Sequence, residues 1–585
     1  AAPAALQRQP TLSGWLGAGL DPCLAQMKAV VLAPGESVEL VHLLGQCIDT
    51  ATVSSLVRRL RSTDPLKMLA AVQEYWTETL GKLQIETPDR AMDIMVNGWL
   101  PYQTLACRIE ARAAFYQASG AYGFRDQLQD TMALALTQPE HTRAHLLRAA
   151  ARQFPEGDVQ HWWLPHSGQG VRTRISDDCV WLAHAVAGYV VSTGDVAVLD
   201  EPVPFLEGHR LCEGEHEAFF LPDDAGEVAS LFTHCVLGLD RALTLTSPFG
   251  LPLIGTGDWN DGMNRVGADG RGESIWLGWL LLQTLKAFIP LAERRDPAIA
   301  QRWRRRAKAL RKSMETNGWD GDWYRRATFD DGTWLGSARA RTCRIDSIVQ
   351  SWAVLSGQAD PARAKQAMES FDRALVDRKQ GLSLLFTPPF GTDVIPEDHD
   401  PGYIAAYPPG LRENGGQYSH AAMWAILAWA KLGRGDRAAE LFSLVNPINH
   451  TRTAAAAQRY KTEAYAVAAD VYSVAPHIGR GGWSWYTGSA AWMYRAAIEG
   501  ILGITREGNR LRVAPNIPAD WPGFSARVKV ADTLCEIRVA HTEDAFARLD
   551  GQAITAGPEV FLPLDGTSHD LVLGLHHVEA ETLAG

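Results

Sequence analysis

The chain has 585 residues, a net charge of −11, 46% hydrophobic residues and 21% charged ones. That is the balance of a globular protein, too apolar for disorder and long enough for several domains or one large helical body with appendages. Lys and Arg are scattered, which argues against nucleic acid or an anionic membrane as the main partner and leaves any small anion to a few placed side chains.

The eight cysteines are dispersed without metal-type spacing, so reduced thiols in a cytoplasmic protein and no metal site are expected. The longest apolar run, Ile275 to Leu282, is too short to cross a bilayer, and direct membrane insertion is not expected. No signal peptide is visible, and a start at Ala1 without Met reads as a region of a longer protein. Twenty tryptophans supply flat faces suited to sugar rings, although most are expected in the core.

Residues 1–48 read as β, with a hairpin from Ala29 to Leu44 turning at Pro34-Gly35. They are taken as the end of a sheet domain, followed by a helical linker over 49–86. Thr87-Pro88-Asp89 is a helix start. About twelve helices follow to residue 500, near 87–106, 126–137, 139–152, 177–192, 227–245, 274–289, 296–315, 344–356, 361–376, 418–432, 436–444 and 487–499. Long connections near 153–176, 246–273, 316–343, 377–417 and 445–486 alternate with short ones. That pattern suits a ring of helical hairpins with its functional loops on one face. The expected fold class is mainly α, an α/α barrel over 87–500, with a small C-terminal β domain over 501–585 where period-two alternation returns.

Four segments have the composition of a site. Gly255 to Asn264 (GTGDWNDGMN) sets two carboxylates, Asp258 and Asp261, around an indole. Lost solvation and mutual repulsion would raise a carboxyl toward the range of a general acid; the alternative is a calcium-like or purely structural Asx-rich turn. In Gly170 to Asp178, Arg172 and Arg174 share one face if extended and could fork onto an oxyanion. Ser176 there reads as a helix cap, with Asp177 and Asp178 in the first turn. Glu413 to His420 (ENGGQYSH) brackets a Gly-Gly pair with an acid and an imidazole. Gly481 to Ser489 leads into a helix whose first amides, with the Thr487 hydroxyl, suit an anion. His161 and His166 are not read as metal ligands, and no phosphate-binding loop or nucleophile elbow occurs.

Together these segments resemble glycoside hydrolase family 94, the inverting phosphorylases of β-glucosides. Tyr472 to Gly488 resembles most the C-terminal region of cyclic β-1,2-glucan synthases. The resemblance implies an (α/α)6 barrel behind an N-terminal β-sandwich, only the end of which would be present here, and activity with no cofactor beyond phosphate as co-substrate. It implies Asp261 as general acid, Trp259 and Asp178 beside the sugar, and Glu413 near the leaving sugar. It places His420, Thr487, Gly488 and one of Arg172 and Arg174 on phosphate. The implied partners are a β-glucan oligosaccharide and phosphate, in a homodimer or as part of a larger multidomain synthase. Leaving-sugar contacts are expected from Trp334, Arg339, Arg341 and Glu413. An inverting hydrolase on the same scaffold is the alternative and needs a second carboxylate, for which Asp177, Asp258, Glu413 and Asp470 are available. A length-setting glucan-binding region is the other.

Overall fold

The computed structural model describes residues 12, 25–47, 49–114, 117–391 and 399–576. It divides into two units, Ala1–Tyr75 and Trp76–Gly585. In the first, the expected turn forms: Glu36 N–H donates to Ala33 O at 3.0 Å, with Gly35 at φ +86°. Over 25–47 no strand flanks that turn, so the hairpin has its bend without its ladder. The remainder of the expected β segment, 1–11, 13–24 and 48, lies outside the described residues. Helix Thr50–Arg61 follows, capped by the Asp49 carboxylate on Thr52 N–H at 2.7 Å.

The second unit is built on six helices that touch in cyclic order. Phe124–Met132 packs on Asp178–Thr193, then come Ile275–Glu293, Ser347–Ser356, Ser419–Lys431 and Ser489–Arg495, and the last returns to the first. Five of them are each followed by a helix that packs against it: Pro139–Ala150, Leu231–Thr244, Pro297–Asn317, Pro361–Leu375 and Gly435–Val445. Composition explains which helix goes where. Asp178–Thr193 and Ile275–Glu293 are apolar nearly all round and buried on most sides. Pro297–Asn317 carries one apolar stripe, Ala300, Trp303, Leu310 and Met314, and faces solvent elsewhere. Ile275–Glu293 is long and apolar enough to cross a membrane by length and composition, yet 67% of that window is buried inside the protein.

Tryptophans fill the space between the six helices. Trp352 lies 5.2–6.0 Å, ring centre to ring centre, from Trp424, Trp276 and Trp181, and all four are essentially inaccessible. Trp424 in turn contacts Trp259 at 5.1 Å and Trp492 at 5.7 Å. These indoles are core, as expected for most of the twenty.

The architecture is more mixed than a mainly α class. Tyr122–Gly123, Gln160–Trp163, Gly170–Thr173 and Glu217–Phe220 form a four-stranded sheet, and Pro202–Glu207 pairs with Asp223–Ser230. The helix expected from 227 starts at Leu231, where the Ser230 hydroxyl accepts from Thr233 N–H. In the C-terminal region, Leu83–Glu86 pairs with Gly523–Val530 in a six-stranded sheet, so part of the expected helical linker belongs to the β region. Two expected caps also move. Asp89, not Thr87, accepts from Ala91 and Met92 N–H, and the Ser176 hydroxyl donates to Gly257 O instead of capping a helix.

Candidate active site

The long loops and the first turns of the inner helices enclose a cavity of about 530 Å³. Arg125 and Asp126 come from the start of Phe124–Met132, His420 from the start of Ser419–Lys431, and Thr487-Gly488 immediately precede Ser489–Arg495. Helix N-termini carry partial positive charge, so this wall favours an anion. Trp259, Tyr403, Tyr407, Tyr418 and Trp483 add aromatic lining.

Asp261 opens a short 3₁₀ turn, Asp261–Met263, that Asn260 caps through Gly262 N–H. The loop bearing it is braced at both ends. Gly255 sits at φ +62°, where a Cβ would stand 2.2 Å from the Arg174 carbonyl. Gly257 O accepts from Ser176 N–H at 3.0 Å. Asp258 is fully buried and held by Arg326 through two 2.6 Å bonds, with the Ser274 hydroxyl at 2.7 Å. Arg326 also approaches Asp346 at 3.3 Å.

The Asp258 carboxylate is therefore neutralised by Arg326 and is not the partner that raises the acid. Asp261 instead accepts from Arg125 Nη2 at 2.5 Å and lies 3.8 Å from His161 Nε2. Burial pulls the Asp261 carboxyl upward, but the Arg125 and His161 charges outweigh it and hold it well below the usual carboxylate range. Burial opposes charge on His161 too, yet Asp178, at 2.8 Å from Nδ1, and Asp261 raise it well above its ordinary value, so it stands as an imidazolium. Arg125 donates further to Asp177 at 3.0 Å and to Asp258 O at 2.7 Å, while its buried Nε has no hydrogen-bond partner. Asp177 also faces Arg125, but its burial outweighs that charge and raises it above the usual carboxylate range.

At the far wall, Gln129 Oε1 accepts from Trp492 Nε1 at 3.0 Å and meets His420 Nε2 at the same distance. With that oxygen as acceptor, the proton sits on Nε2 and Nδ1 is left as an acceptor on the Gly488 side. Burial and the nearby Arg108 and Arg125 charges push His420 well below its ordinary value, so the ring is neutral. Arg108 is buried, donates to Asp130 at 2.7 Å and lies 4.1 Å over the Tyr486 ring. The Thr487 hydroxyl pairs with that of Ser489 at 2.8 Å.

Six of the nine expected site residues thus line one cavity: Trp259, Asp261, Glu413, His420, Thr487 and Gly488. Three do not. Asp178 stands behind His161, one oxygen bonded to it and the other without a partner. Arg172 is buried, bidentate on Asp158 at 2.6 and 2.8 Å, bonded to Glu156 at 3.0 Å and stacked on Phe154. Arg174 is exposed and donates to the carbonyls of Glu215, Leu211 and Cys212. Neither arginine reaches the cavity, so the expectation that one of them meets phosphate is corrected. Trp334, Arg339 and Arg341 line a separate cavity of about 450 Å³, and of the four leaving-sugar candidates only Glu413 faces Asp261's cavity. Reading by spacing missed Arg108, Arg125, Asp126 and His161. The signal for two of them was a helix start, Phe124-Arg125-Asp126, with charged residues in its first turn. Among the described residues no cluster of three or more His, Cys, Asp or Glu side chains is arranged to hold a metal ion.

A family model for the catalytic domain of the glycosyl hydrolase 94 superfamily matches residues 75–503, and one for the glycosyl hydrolase 94 supersandwich domain matches 1–63. The chain belongs to the glycosyl hydrolase 94 superfamily. It is 49% identical over 540 residues to the cyclic β-(1,2)-glucan synthase NdvB of Rhizobium meliloti, covering 92% of this chain and 19% of that one. It is 30% identical to an N,N'-diacetylchitobiose phosphorylase of Vibrio furnissii, covering 86% of this chain and 63% of the relative. A 1,2-β-oligoglucan phosphorylase of Listeria innocua is 22% identical, with coverages of 78% and 43%. The chain thus spans about a fifth of NdvB and under two thirds of these phosphorylases. Its fold is similar to that of a family GH78 rhamnosidase of Bacillus sp. GL1, at a TM-score of 0.51 and 13% identity over 85% of this chain and 44% of that one, a likeness of fold alone.

Proposed function

We propose that this chain is an inverting phosphorylase that cleaves β-glucosidic bonds at the ends of β-1,2-glucan, reversibly, giving α-D-glucose 1-phosphate. It does so on an (α/α)6 barrel, a reading the cyclic packing of six helices supports. The observation that carries the function is one cavity that brings the Asp261 carboxylate and the Trp259 indole together with an anion-suited wall of Arg108, Arg125, His420 and Thr487-Gly488.

In this reading Asp261, once protonated, gives its proton to the glycosidic oxygen. Phosphate, held by the two guanidiniums and Thr487, with its own hydroxyl donating to His420 Nδ1, attacks the anomeric carbon from the opposite face. Phosphate takes the place of the water and base of an inverting hydrolase. Glu413, paired with Arg412 at 3.3 Å, and the Tyr403 and Tyr407 rings frame the leaving sugar. Binding tight enough to orient one hydroxyl toward Asp261 sets the linkage, because mismatched polar groups would be left buried and unpaired.

Resemblance to NdvB and to the oligoglucan phosphorylase supports the β-1,2 linkage. The same resemblance supports residence on the cytoplasmic side of a larger membrane-associated synthase. A hydrolase is less well supported. Of its four candidate bases, Asp258 is spent on Arg326, Asp177 lies under Arg125, and Asp470 accepts from the Arg412 and Trp483 amides, leaving Glu413.

The test is a product assay with sophorose- and cellobiose-type substrates, with and without phosphate. Glucose 1-phosphate formed only with phosphate and preferentially from β-1,2 ends is the expected outcome. Equal turnover to glucose without phosphate would establish the hydrolase, and preference for cellobiose would reject the linkage alone.

A further inference from the structure

The Asp261 carboxylate raises a difficulty that the phosphorylase reading leaves open. A general acid must carry a proton, yet in the unliganded site this group accepts from Arg125 at 2.5 Å and faces the His161 imidazolium at 3.8 Å. Both cations favour the ionised form. Asp126, 3.8 Å from Arg125 Nε, adds an opposing negative charge, while Asp177, which shares Arg125, is itself raised toward its neutral form by burial. The Tyr403 and Tyr407 phenols, from the loop across the cavity, are raised by burial and stay neutral.

Arg125 also belongs to the anion wall. It lies close enough to His420 to depress that ring, together with Arg108, and its buried Nε has no hydrogen-bond partner, with only the Asp126 carboxylate 3.8 Å away. A dianion bound among Arg108, His420 and Thr487 therefore meets a guanidinium already committed to Asp261. One positive group cannot fully satisfy two anions, and a guanidinium forks onto a tetrahedral oxyanion more effectively than a single carboxylate oxygen holds it.

Resting on the phosphorylase reading, we propose that Arg125 couples phosphate binding to protonation of the general acid: phosphate draws the guanidinium away from Asp261, and the carboxylate then takes up a proton and becomes competent. The step balances as one proton, from solvent or from a dihydrogen phosphate, added to one carboxylate oxygen, with no other bond made or broken. The enzyme is armed only when its nucleophile is in place, so the glycosidic oxygen is not activated while water is the only nucleophile near the anomeric carbon.

The test is calorimetric titration of the whole chain with sulfate, a dianion with no titrating proton near neutrality, and with inorganic phosphate. Measurements at about pH 6 in buffers of differing ionisation enthalpy give the number of protons taken up through linkage. Native protein should take up roughly half to one proton more than Asp261→Asn. Asp261→Asn, which has no carboxylate competing for Arg125, should bind sulfate at least tenfold more tightly. Circular dichroism and melting confirm that the variant is folded. Anion binding with equal proton uptake in the two forms assigns the proton to His420 or another group and overturns the coupling while the phosphorylase reading stands. Failure of both forms to bind either anion overturns that reading and the coupling with it.

Discussion

Two pairs of arginines in this chain look interchangeable on paper and are opposites in the fold. Arg172 and Arg174 sit two apart in an extended segment, as a fork for an oxyanion would. Arg108 and Arg125 sit seventeen positions apart in different helical segments. Yet the first pair is committed, Arg172 to Asp158 and Glu156 and Arg174 to three carbonyls. The second pair lines the cavity, and the buried Arg125 Nε has no hydrogen-bond partner. An arginine's function is set by what its counter-ions leave free, and counter-ions come from tertiary structure. The extended segment serves the site in another way. Through Ile175, Ser176 and the Arg174 carbonyl it braces the loop that carries Asp261.

The contrast between the pairs is tested most severely at its catalytic end. Asp261→Asn should cut phosphorolysis of unactivated β-glucosides by roughly 10²–10⁴-fold, the contribution of general acid catalysis. Arg125→Ala should also lower turnover at limiting phosphate, because it removes a guanidinium from the proposed anion wall, even though it releases Asp261 to take up its proton. Steady-state rates on folded variants decide this, and near-native turnover by Asp261→Asn would reject the acid assignment.

Substitution of the other pair should act on stability. Arg172→Met leaves the Asp158 carboxylate without its buried bidentate partner, and breaking such a pair costs about 3–5 kcal/mol. Denaturant unfolding should show that loss, while the phosphate KM of the remaining folded enzyme stays near native. A raised phosphate KM with unchanged stability would return Arg172 to the anion site.

Helix positions were legible in the sequence because the inner helices are long, apolar and separated by loops of contrasting composition. The helix expected over 361–376 forms at Pro361–Leu375, where Pro sits at the first helical position and Asp360 caps it. The short strands between helices were not legible: two to four residues such as Gly170–Thr173 hold a ladder only because partners arrive from elsewhere in the chain. In the site, Gly-rich motifs marked three residues that the fold brings to one cavity, Asp261, His420 and Thr487, since close backbone approach favours glycine wherever the chain folds. The electrostatics of Asp261 were not legible. Proximity in sequence put Asp258 beside it, but Arg326, sixty-five residues beyond Asp261, neutralises Asp258, and Arg125 comes from a helix far upstream. Charge pairing over such distances leaves no local pattern.

A smaller and more selective effect is expected at the far wall. His420→Ala and Thr487→Ala each remove one polar group from the proposed anion site, and hydrogen bonds to charged groups contribute about 1.5–3 kcal/mol. Phosphate KM should rise roughly ten- to a hundredfold on that scale, with sugar KM moving less. If only sugar KM changes, the anion is held elsewhere.

The least effect belongs to Arg174, an informative position because its side chain is a fully charged guanidinium on a segment whose spacing suits phosphate. Its donors go to the carbonyls of Glu215, Leu211 and Cys212 at 2.7–3.2 Å, and the residue is exposed, where water can replace each bond. Arg174→Ala should therefore change stability by no more than about 0.5 kcal/mol, as exposed substitutions away from buried networks do. Its backbone carbonyl, which meets Thr256 N–H at 3.3 Å and faces Gly255, is untouched by the change, so the Asp261 loop keeps its brace. Phosphate KM and turnover should both stay within about twofold of native, a margin set by ordinary surface effects. A rise in phosphate KM comparable to that of His420→Ala would mean that Arg174 swings into the cavity when the anion binds, and the division between a bracing pair and a binding pair would fail at this residue.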